Sequence, residues 1–207
     1  MKDTSGTKVL GRTSAKRLGL VLVPSLAAFG ILGAMMANGA VASSFAVSGQ
    51  TFHLTADSLT GNGFAQYGSV DTYVNGKPVA VAISGFKSAQ INNLCQSVET
   101  DLSSYGLGTV WLSIKATSAS ATDLIIDMQQ LKAGSAVFDN MNIGQDASTL
   151  SGSATGADGT AGLFGQQASS ATLTDVDQVA NSTNAGTFTL NGMTLSLSTG
   201  STDPCAG

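Results

Sequence analysis

The chain has 207 residues, of which 43% are hydrophobic and 11% are charged, and its formal net charge is −4 at pH 7. Five of the nine Lys and Arg residues and one of the thirteen acids precede residue 43, so residues 43–207 carry four lysines, twelve acids and a formal charge of −8. Such a surface repels phosphate backbones, which excludes nucleic acid as a partner, and charge alone gives it no attraction to anionic lipid.

The first 42 residues are typical of an export signal. Basic residues precede an uncharged apolar stretch at residues 18–36, and Ala40-Val41-Ala42 has the small-x-small pattern that a signal peptidase accepts. Cleavage between Ala42 and Ser43 would release residues 43–207, so we expect an extracellular or cell-envelope protein. Because the apolar stretch approaches the roughly 20 residues that span a bilayer as a helix, an uncleaved N-terminal membrane anchor is the alternative. In either case we expect the protein to contact the membrane only through this hydrophobic helix.

Beyond residue 43 the pattern favours strands and turns. Residues 70–83 predict a hairpin about Asn75-Gly76, a pair that can take the two positive φ values of a type I′ turn. A two-residue loop would place Val70 opposite Val81 and would bury a mostly β-branched face. Pro78 cannot donate a ladder hydrogen bond, so the second strand should begin at a sheet edge.

A second hairpin is predicted over residues 188–197, about Asn191-Gly192. The apolar positions change parity across this pair, and a two-residue hairpin would put Leu190 and Met193 on one face. A single continuous strand would send them to opposite sides. The remaining segments predict strands at 51–54, 109–115 and 123–128, a short helix around 88–102, and a Ser/Gly-rich loop or linker at 148–162.

A seven-residue pattern recurs at residues 88–94, 135–141 and 170–176. Each copy begins with Ser-Ala, has an apolar fourth residue and places Asn or Asp sixth. The copies are irregularly spaced, so they establish no solenoid period, although stacked rungs remain an option. Together these patterns predict an all-β fold: a single antiparallel-rich domain over residues 43–207, either a sandwich or an elongated, partly solenoid-like sheet stack.

The two cysteines, Cys95 and Cys205, both lie in the exported part of the chain. An even pair in an oxidising compartment is most simply a disulfide. Two distant thiols and one histidine offer too few ligands for a zinc site, and no loop has the spacing of a calcium-binding loop. We therefore expect a structural disulfide and neither metal nor cofactor.

The sequence gives little support for catalysis. His53 is the only histidine, and no G-x-S-x-G elbow occurs. The block Ala56-Asp57-Ser58-Leu59 resembles the Gly-Asp-Ser-Leu block of one esterase superfamily, but no later histidine can complete that arrangement. On one continuous strand, five residues of separation would also place His53 and Ser58 on opposite faces. We therefore assign no catalytic residue.

Several longer blocks resemble an exported actinobacterial family of unknown function, and the likeness covers essentially the whole chain. The blocks lie at residues 23–27, 63–73, 75–82, 93–97, 143–148 and 164–168. Members of that family often carry an automatic label of cholesterol esterase. The resemblance implies a secreted or envelope protein of a high-GC Gram-positive bacterium, and it transfers no catalytic residue.

These observations favour a non-enzymatic protein of the cell envelope or the medium. We expect it to bind a hydrophobic or carbohydrate ligand, or to assemble with itself as a homo-oligomer, since a sheet with few charged side chains suits both roles. The alternative is a secreted lipid esterase that acts on cholesterol esters, with Ser58 as nucleophile and His53 as base.

Overall fold

The computed structural model describes residues 48–154, 157 and 159–206. The export segment and its cleavage site at Ala40, Ala42 and Ser43 lie outside the described residues, so they stay predictions. Four long strands dominate the described part: β1 (Phe52–Thr72), β2 (Pro78–Asp101), β3 (Thr109–Lys132) and β6 (Phe164–Asn184). The short strands are β4 (Ser135–Asp139), β5 (Asn142–Asp146), β7 (Thr187–Asn191) and β8 (Thr194–Thr199), and two single 3₁₀ turns lie at Ser103–Tyr105 and Ala147–Thr149.

All eight strands belong to one antiparallel sheet, so the predicted all-β, antiparallel class is confirmed. The long strands follow the order β6-β1-β2-β3, and residues 125–132 of β3 also pair with residues 177–184 of β6. This last pairing closes the sheet on itself. β4 and β5 pair with the first half of β6, while β7 and β8 pair with the first half of β3. The fold is therefore a closed sheet with two short extensions.

Every long strand contains one residue with left-handed backbone geometry, and so does each junction between two consecutive short strands, β4–β5 and β7–β8. They are Gly63, Asn93, Asp123 and Asp175 in the long strands, Asn140 between β4 and β5, and Gly192 between β7 and β8, with φ from 46° at Asp123 to 67° at Gly63. Such a residue interrupts the ladder without adding a residue to either strand. The ladder between β1 and β2 omits residues 56–57 and 93–94, and the register is the same on both sides of this gap.

The alternation of buried side chains reverses at these interruptions. Leu54 and Leu59 are five residues apart in β1, yet both are buried in the same apolar core. In an uninterrupted strand they would face opposite sides, because the side-chain period is two. The interruptions therefore let β1 keep Leu54, Leu59 and Phe64 in one core.

The interruptions also show that the chain has an internal two-fold pseudosymmetry. An offset of 30 residues relates Gly63 to Asn93, and one of 52 relates Asp123 to Asp175 and Asn140 to Gly192. The offset of 30 relates β1 to β2, and the offset of 52 relates β3 to β6. The pairing of β1 with β6 is accordingly equivalent to the pairing of β2 with β3. A hydroxyl residue stands five positions before each left-handed residue: Ser58, Ser88, Ser118, Ser135, Ser170 and Thr187. The recurring pattern noted in the sequence is thus part of a six-copy motif, and its copies form neighbouring strands rather than stacked rungs.

The first hairpin forms, but its predicted register is wrong by one residue. Val70 lies opposite Ala80 instead of Val81, because the loop holds three residues rather than two. Gly76 N–H donates to the Tyr73 carbonyl at 2.8 Å, and Gly76 has a φ of 81°. A type I turn followed by a left-handed residue gives this three-residue loop. Val70 is consequently 62% exposed while Val81 is buried, so the predicted shared β-branched face does not form.

The second predicted hairpin does not exist. β7 and β8 do not pair with each other; Asn191 lies opposite Ser118 and Thr194 opposite Lys115, so both run along β3 in one register. They are two parts of one interrupted strand. The change of parity that predicted a hairpin comes from Gly192, whose φ is 62°. A left-handed residue within a strand and a two-residue turn leave the same signature in the sequence.

Two further expectations are corrected. The short helix around 88–102 is wrong, because almost all of this segment belongs to β2. The tract 148–162 is not a free linker in its described part, since Leu150, Ala154 and Ala157 are buried. Leu150 packs with the side chain of Tyr67, and the two alanines pack with Ile125. The tract therefore covers the outside of the sheet.

Apolar side chains of the four long strands fill the inside of the closed sheet. The ring of Phe64 contacts the rings of both Phe86 and Phe138, with centroid distances of 5.3 Å to Phe86 and 5.1 Å to Phe138. Leu190 of β7 packs against the same core. Where the structure describes the chain, it contains no helix with the length and apolar character needed to cross a bilayer.

Candidate functional site

The C-terminal tail is attached to the outer surface of the sheet. Cys205 forms a disulfide with Cys95 of β2 across 110 residues of sequence, which confirms the predicted pairing. Trp111 Nε1–H donates to the Gly200 carbonyl at 3.1 Å, and the Thr55 hydroxyl donates to the Cys205 carbonyl at 3.3 Å. The tail is therefore held both covalently and by hydrogen bonds.

His53 lies between two carboxylates beneath this tail. Its Nδ1 is 2.6 Å from Asp203 Oδ2, and its Nε2 is 3.1 Å from Asp177 Oδ1. Both ring nitrogens are therefore within hydrogen-bonding distance of a carboxylate, and which of them donates depends on the tautomer. Lys132 Nζ lies 3.8 Å from the other oxygen of Asp177 and brings a cation to the cluster.

Asp203 is the centre of this cluster. Besides His53 it accepts hydrogen bonds from the Ser97 hydroxyl at 2.6 Å and from the Cys205 N–H at 2.8 Å. Burial acts to raise the pKa of Asp203, but the hydrogen bonds from Ser97, Cys205 and His53 outweigh it and hold that pKa below its ordinary value. The cluster thus fastens the tail through an ionised carboxylate.

The structure does not bring His53 and Ser58 together. Because the alternation reverses at Asp57, the expectation that they lie on opposite faces is wrong; five residues at ~3.3 Å each still separate them by about 16 Å. The Ser58 hydroxyl accepts a hydrogen bond from Asn92 Nδ2 at 2.9 Å, and Asp57 accepts one from Asn93. Both ring nitrogens of His53 are bonded to carboxylates, so neither is placed to take a proton from Ser58.

Two cavities lie inside the closed sheet. Cavity I has a volume of about 250 Å³, and its apolar lining includes Phe64, Phe86, Ile126, Phe138 and Val176. Its rim is formed by the exposed residues Leu131, Ala133 and Ala136, beside the unpaired edge of β4. An engineered apolar cavity of about 150 Å³ already stays dry and binds benzene, so cavity I is large enough for a small ligand.

Cavity II is the pseudosymmetric counterpart of cavity I. It has a volume of about 340 Å³, and Leu94, Leu124 and Leu190 occupy the positions that correspond to Phe64, Val176 and Phe138 of cavity I. Its rim includes Thr183 and Phe188, beside β7. Within the described part of the chain, no charged side chain lines either cavity.

Gln178 of β6 lies where the two cavities adjoin. With Leu59 and Ile126 it belongs to the lining of both. Its side chain is 2% exposed, and no described residue forms a hydrogen bond with its carboxamide. The other buried polar group of cavity I is satisfied, since Gln66 Nε2 donates to the Ser84 hydroxyl at 2.7 Å. Among the described residues, the side-chain polar atom that is fully buried without a partner is Ser153 Oγ, so the carboxamide of Gln178 keeps some accessible surface.

Sequence reasoning did not identify these groups. The sequence singles out His53 as the only histidine and Cys205 as one of two cysteines, but Asp203 and Gln178 belong to no motif. They come together only because β1 pairs with β6 and the disulfide returns the tail to β2. Among the described residues, no set of three His, Cys, Asp or Glu side chains is arranged to hold a metal ion.

Comparison with known proteins gives a family without an assigned role. No curated protein and no solved structure matches the chain. Residues 48–206, which include all eight strands and the disulfide, match a family of unknown function. Actinobacterial origin and an esterase label remain expectations from the resemblance described above. The chain belongs to the family of unknown function DUF6230.

Proposed function

We propose that this protein is a non-enzymatic, exported binder of a small apolar ligand, which it holds inside the closed sheet. The observation that carries the proposal is the pair of apolar cavities, about 250 and 340 Å³, at pseudosymmetric positions. Placement outside the cytoplasm rests on the pattern of residues 1–42, and the disulfide is in keeping with it.

The energetics support an occupant. Side chains that line an empty cavity lack partner atoms on the side that faces it and lose those dispersion contacts. An apolar ligand would restore the missing dispersion contacts.

The lining also favours an apolar ligand over a carbohydrate. A sugar presents many hydroxyl groups that need partners, whereas Gln66, Ser84 and Gln178 are the polar side chains of cavity I among the described residues. The esterase alternative gains no support, because His53 and Ser58 are not arranged as a base and a nucleophile.

A matched set of variants tests the proposal. In the full chain, Val176→Phe fills cavity I and Leu124→Phe fills cavity II, while Val137→Phe adds the same ring at a position that is 56% exposed. We would titrate each protein with the neutral fluorescent dye N-phenylnaphthylamine and would check folding by circular dichroism. We expect saturable binding by the wild type, loss of binding in one or both cavity variants, and no loss in Val137→Phe.

The proposal is overturned if the folded wild type does not bind the dye, or if binding survives both cavity variants together. Native mass spectrometry and lipid extraction of the protein from its own host give an independent reading. A co-purifying apolar molecule that is absent from the doubly filled variant would support the proposal.

Self-assembly is a second candidate, and one observation favours it. β8 pairs with β3 on one side only, and its Leu195 and Leu197 are 53% and 70% exposed. An exposed apolar edge strand is a template for pairing with another chain, here a second copy. Sedimentation velocity of the wild type and of Leu197→Lys tests this: a dimer that the lysine converts to monomer would support it, and a monomeric wild type would contradict it.

A further inference from the structure

We propose that the Gln178 carboxamide is the recognition group for the ligand, and that the ligand is an uncharged lipid bearing a hydroxyl or carbonyl group. This inference rests on the proposed function and adds the chemical class of the ligand. Gln178 lines both cavity I and cavity II. A ligand bound in either cavity can therefore bring its polar group to the same residue.

The pseudosymmetry indicates that glutamine is not needed here for packing. The 52-residue offset places Gln178 at the position equivalent to Ile126, which lines the same two cavities and is 4% exposed. An aliphatic side chain thus fits this environment once in the molecule already. The Gln178 carboxamide forms no hydrogen bond with a described residue, so for packing alone it offers nothing that an aliphatic group of similar shape would not. Glutamine at this position is therefore better explained by a ligand than by the fold.

The surroundings limit the ligand's chemistry. A carboxamide offers two N–H donors and a carbonyl acceptor, so it can pair with a hydroxyl or a carbonyl group. No charged side chain lines either cavity in the described part of the chain, so a carboxylate or an ammonium would be buried without a counter-ion. The site therefore selects uncharged lipids, with most of their surface apolar and one polar group near the junction.

The test compares three ligands that share one chain length: decane, decanol and decanoate. Each would compete with N-phenylnaphthylamine for the full-length wild type, for Gln178→Leu, and for Gln90→Leu, which makes the same change on the exposed face of β2. In Gln178→Leu we expect the ratio of the decanol affinity to the decane affinity to fall about tenfold. This factor corresponds to the loss of one hydrogen bond that contributes about 1.4 kcal/mol. The ratio should not change in Gln90→Leu, and decanoate should bind more weakly than decanol to the wild type.

The outcomes separate this inference from the proposed function. If no ligand displaces the dye from any variant, the proposed function fails and this inference with it. If decane and decanol both bind but their ratio is the same in wild type and Gln178→Leu, water alone satisfies the carboxamide; the inference then fails while the proposed function stands. Tighter binding of decanoate than of decanol would also overturn it.

Discussion

Replacing both Cys95 and Cys205 by serine should remove a large part of the stability of the domain, about half of what an average domain has. The disulfide closes 110 residues, so its loss restores the entropy of that loop to the unfolded chain. The loop-closure expression gives about 4.8 kcal/mol at 25 °C for this length. Typical domains have about 5–15 kcal/mol in total. We therefore expect the double variant to be marginally folded.

Urea unfolding followed by tryptophan fluorescence is a suitable assay. Trp111 is the only tryptophan in the chain, it is 9% exposed, and its indole N–H donates to Gly200 at the start of the tail. Its emission should report both release of the tail and global unfolding. With a slope of about 2 kcal/mol/M, a loss of 4.8 kcal/mol corresponds to a midpoint about 2 M lower.

A control variant separates the covalent link from the hydrogen bonds around it. Asp203→Ala keeps the disulfide but removes the acceptor shared by His53, Ser97 and the Cys205 amide. We expect a smaller loss of about 1–3 kcal/mol, because buried donors are left without partners while the loop stays closed. The reasoning is refuted if the double serine variant loses less than about 2 kcal/mol, or less than Asp203→Ala.

Two other predictions concern single residues. Burial raises the pKa of Asp127 above its ordinary 3.8 despite the hydrogen bond from Ser182, so the ionised carboxylate destabilises the fold at neutral pH. Asp127→Asn should therefore raise the urea midpoint at pH 7. This gain in stability should shrink as the pH falls through the raised pKa of Asp127, and it should vanish below pH 3.8. A gain that is independent of pH would contradict this reasoning. Gly63→Ala should destabilise the domain by at least about 1–3 kcal/mol, because its φ is 67° and the new Cβ would lie 2.2 Å from the Gly152 carbonyl oxygen. Gly76→Ala also has positive φ but meets no atom within 4 Å, so thermal melts should show a smaller loss there, and equal losses would rule out the clash.

Local features of the fold were accessible from the sequence. Alternating apolar residues and abundant turn residues predict an all-β chain, because the side-chain period of a strand is a local property. The disulfide follows from there being only two cysteines. The six-copy motif is also partly visible in the sequence, because residues 88–94, 135–141 and 170–176 each have Asn or Asp at the position that is left-handed in the structure. Among non-glycine residues, these two tolerate that geometry best.

Errors arose where two structures leave the same local pattern. The parity change across Asn191-Gly192 fits a hairpin and an interrupted strand equally well. The choice between them depends on what lies alongside, and here β3 offers a free edge to both β7 and β8. An interrupted strand also explains why His53 and Ser58 lie on the same face of β1, although uninterrupted alternation predicts that they lie on opposite faces.

The sequence alone therefore determined the strand content, the disulfide and the positions where the backbone can turn left-handed, because each depends on neighbours in the chain or on counting. Only the tertiary structure decided that β3 closes onto β6, that two apolar cavities remain inside, and that Gln178 lies unpaired between them. The closure arises from the pairing of β3 with β6, whose partners are 45–59 positions apart in the sequence. Such pairings are chosen by the combined burial and register of all the strands, and no short stretch of sequence records that choice.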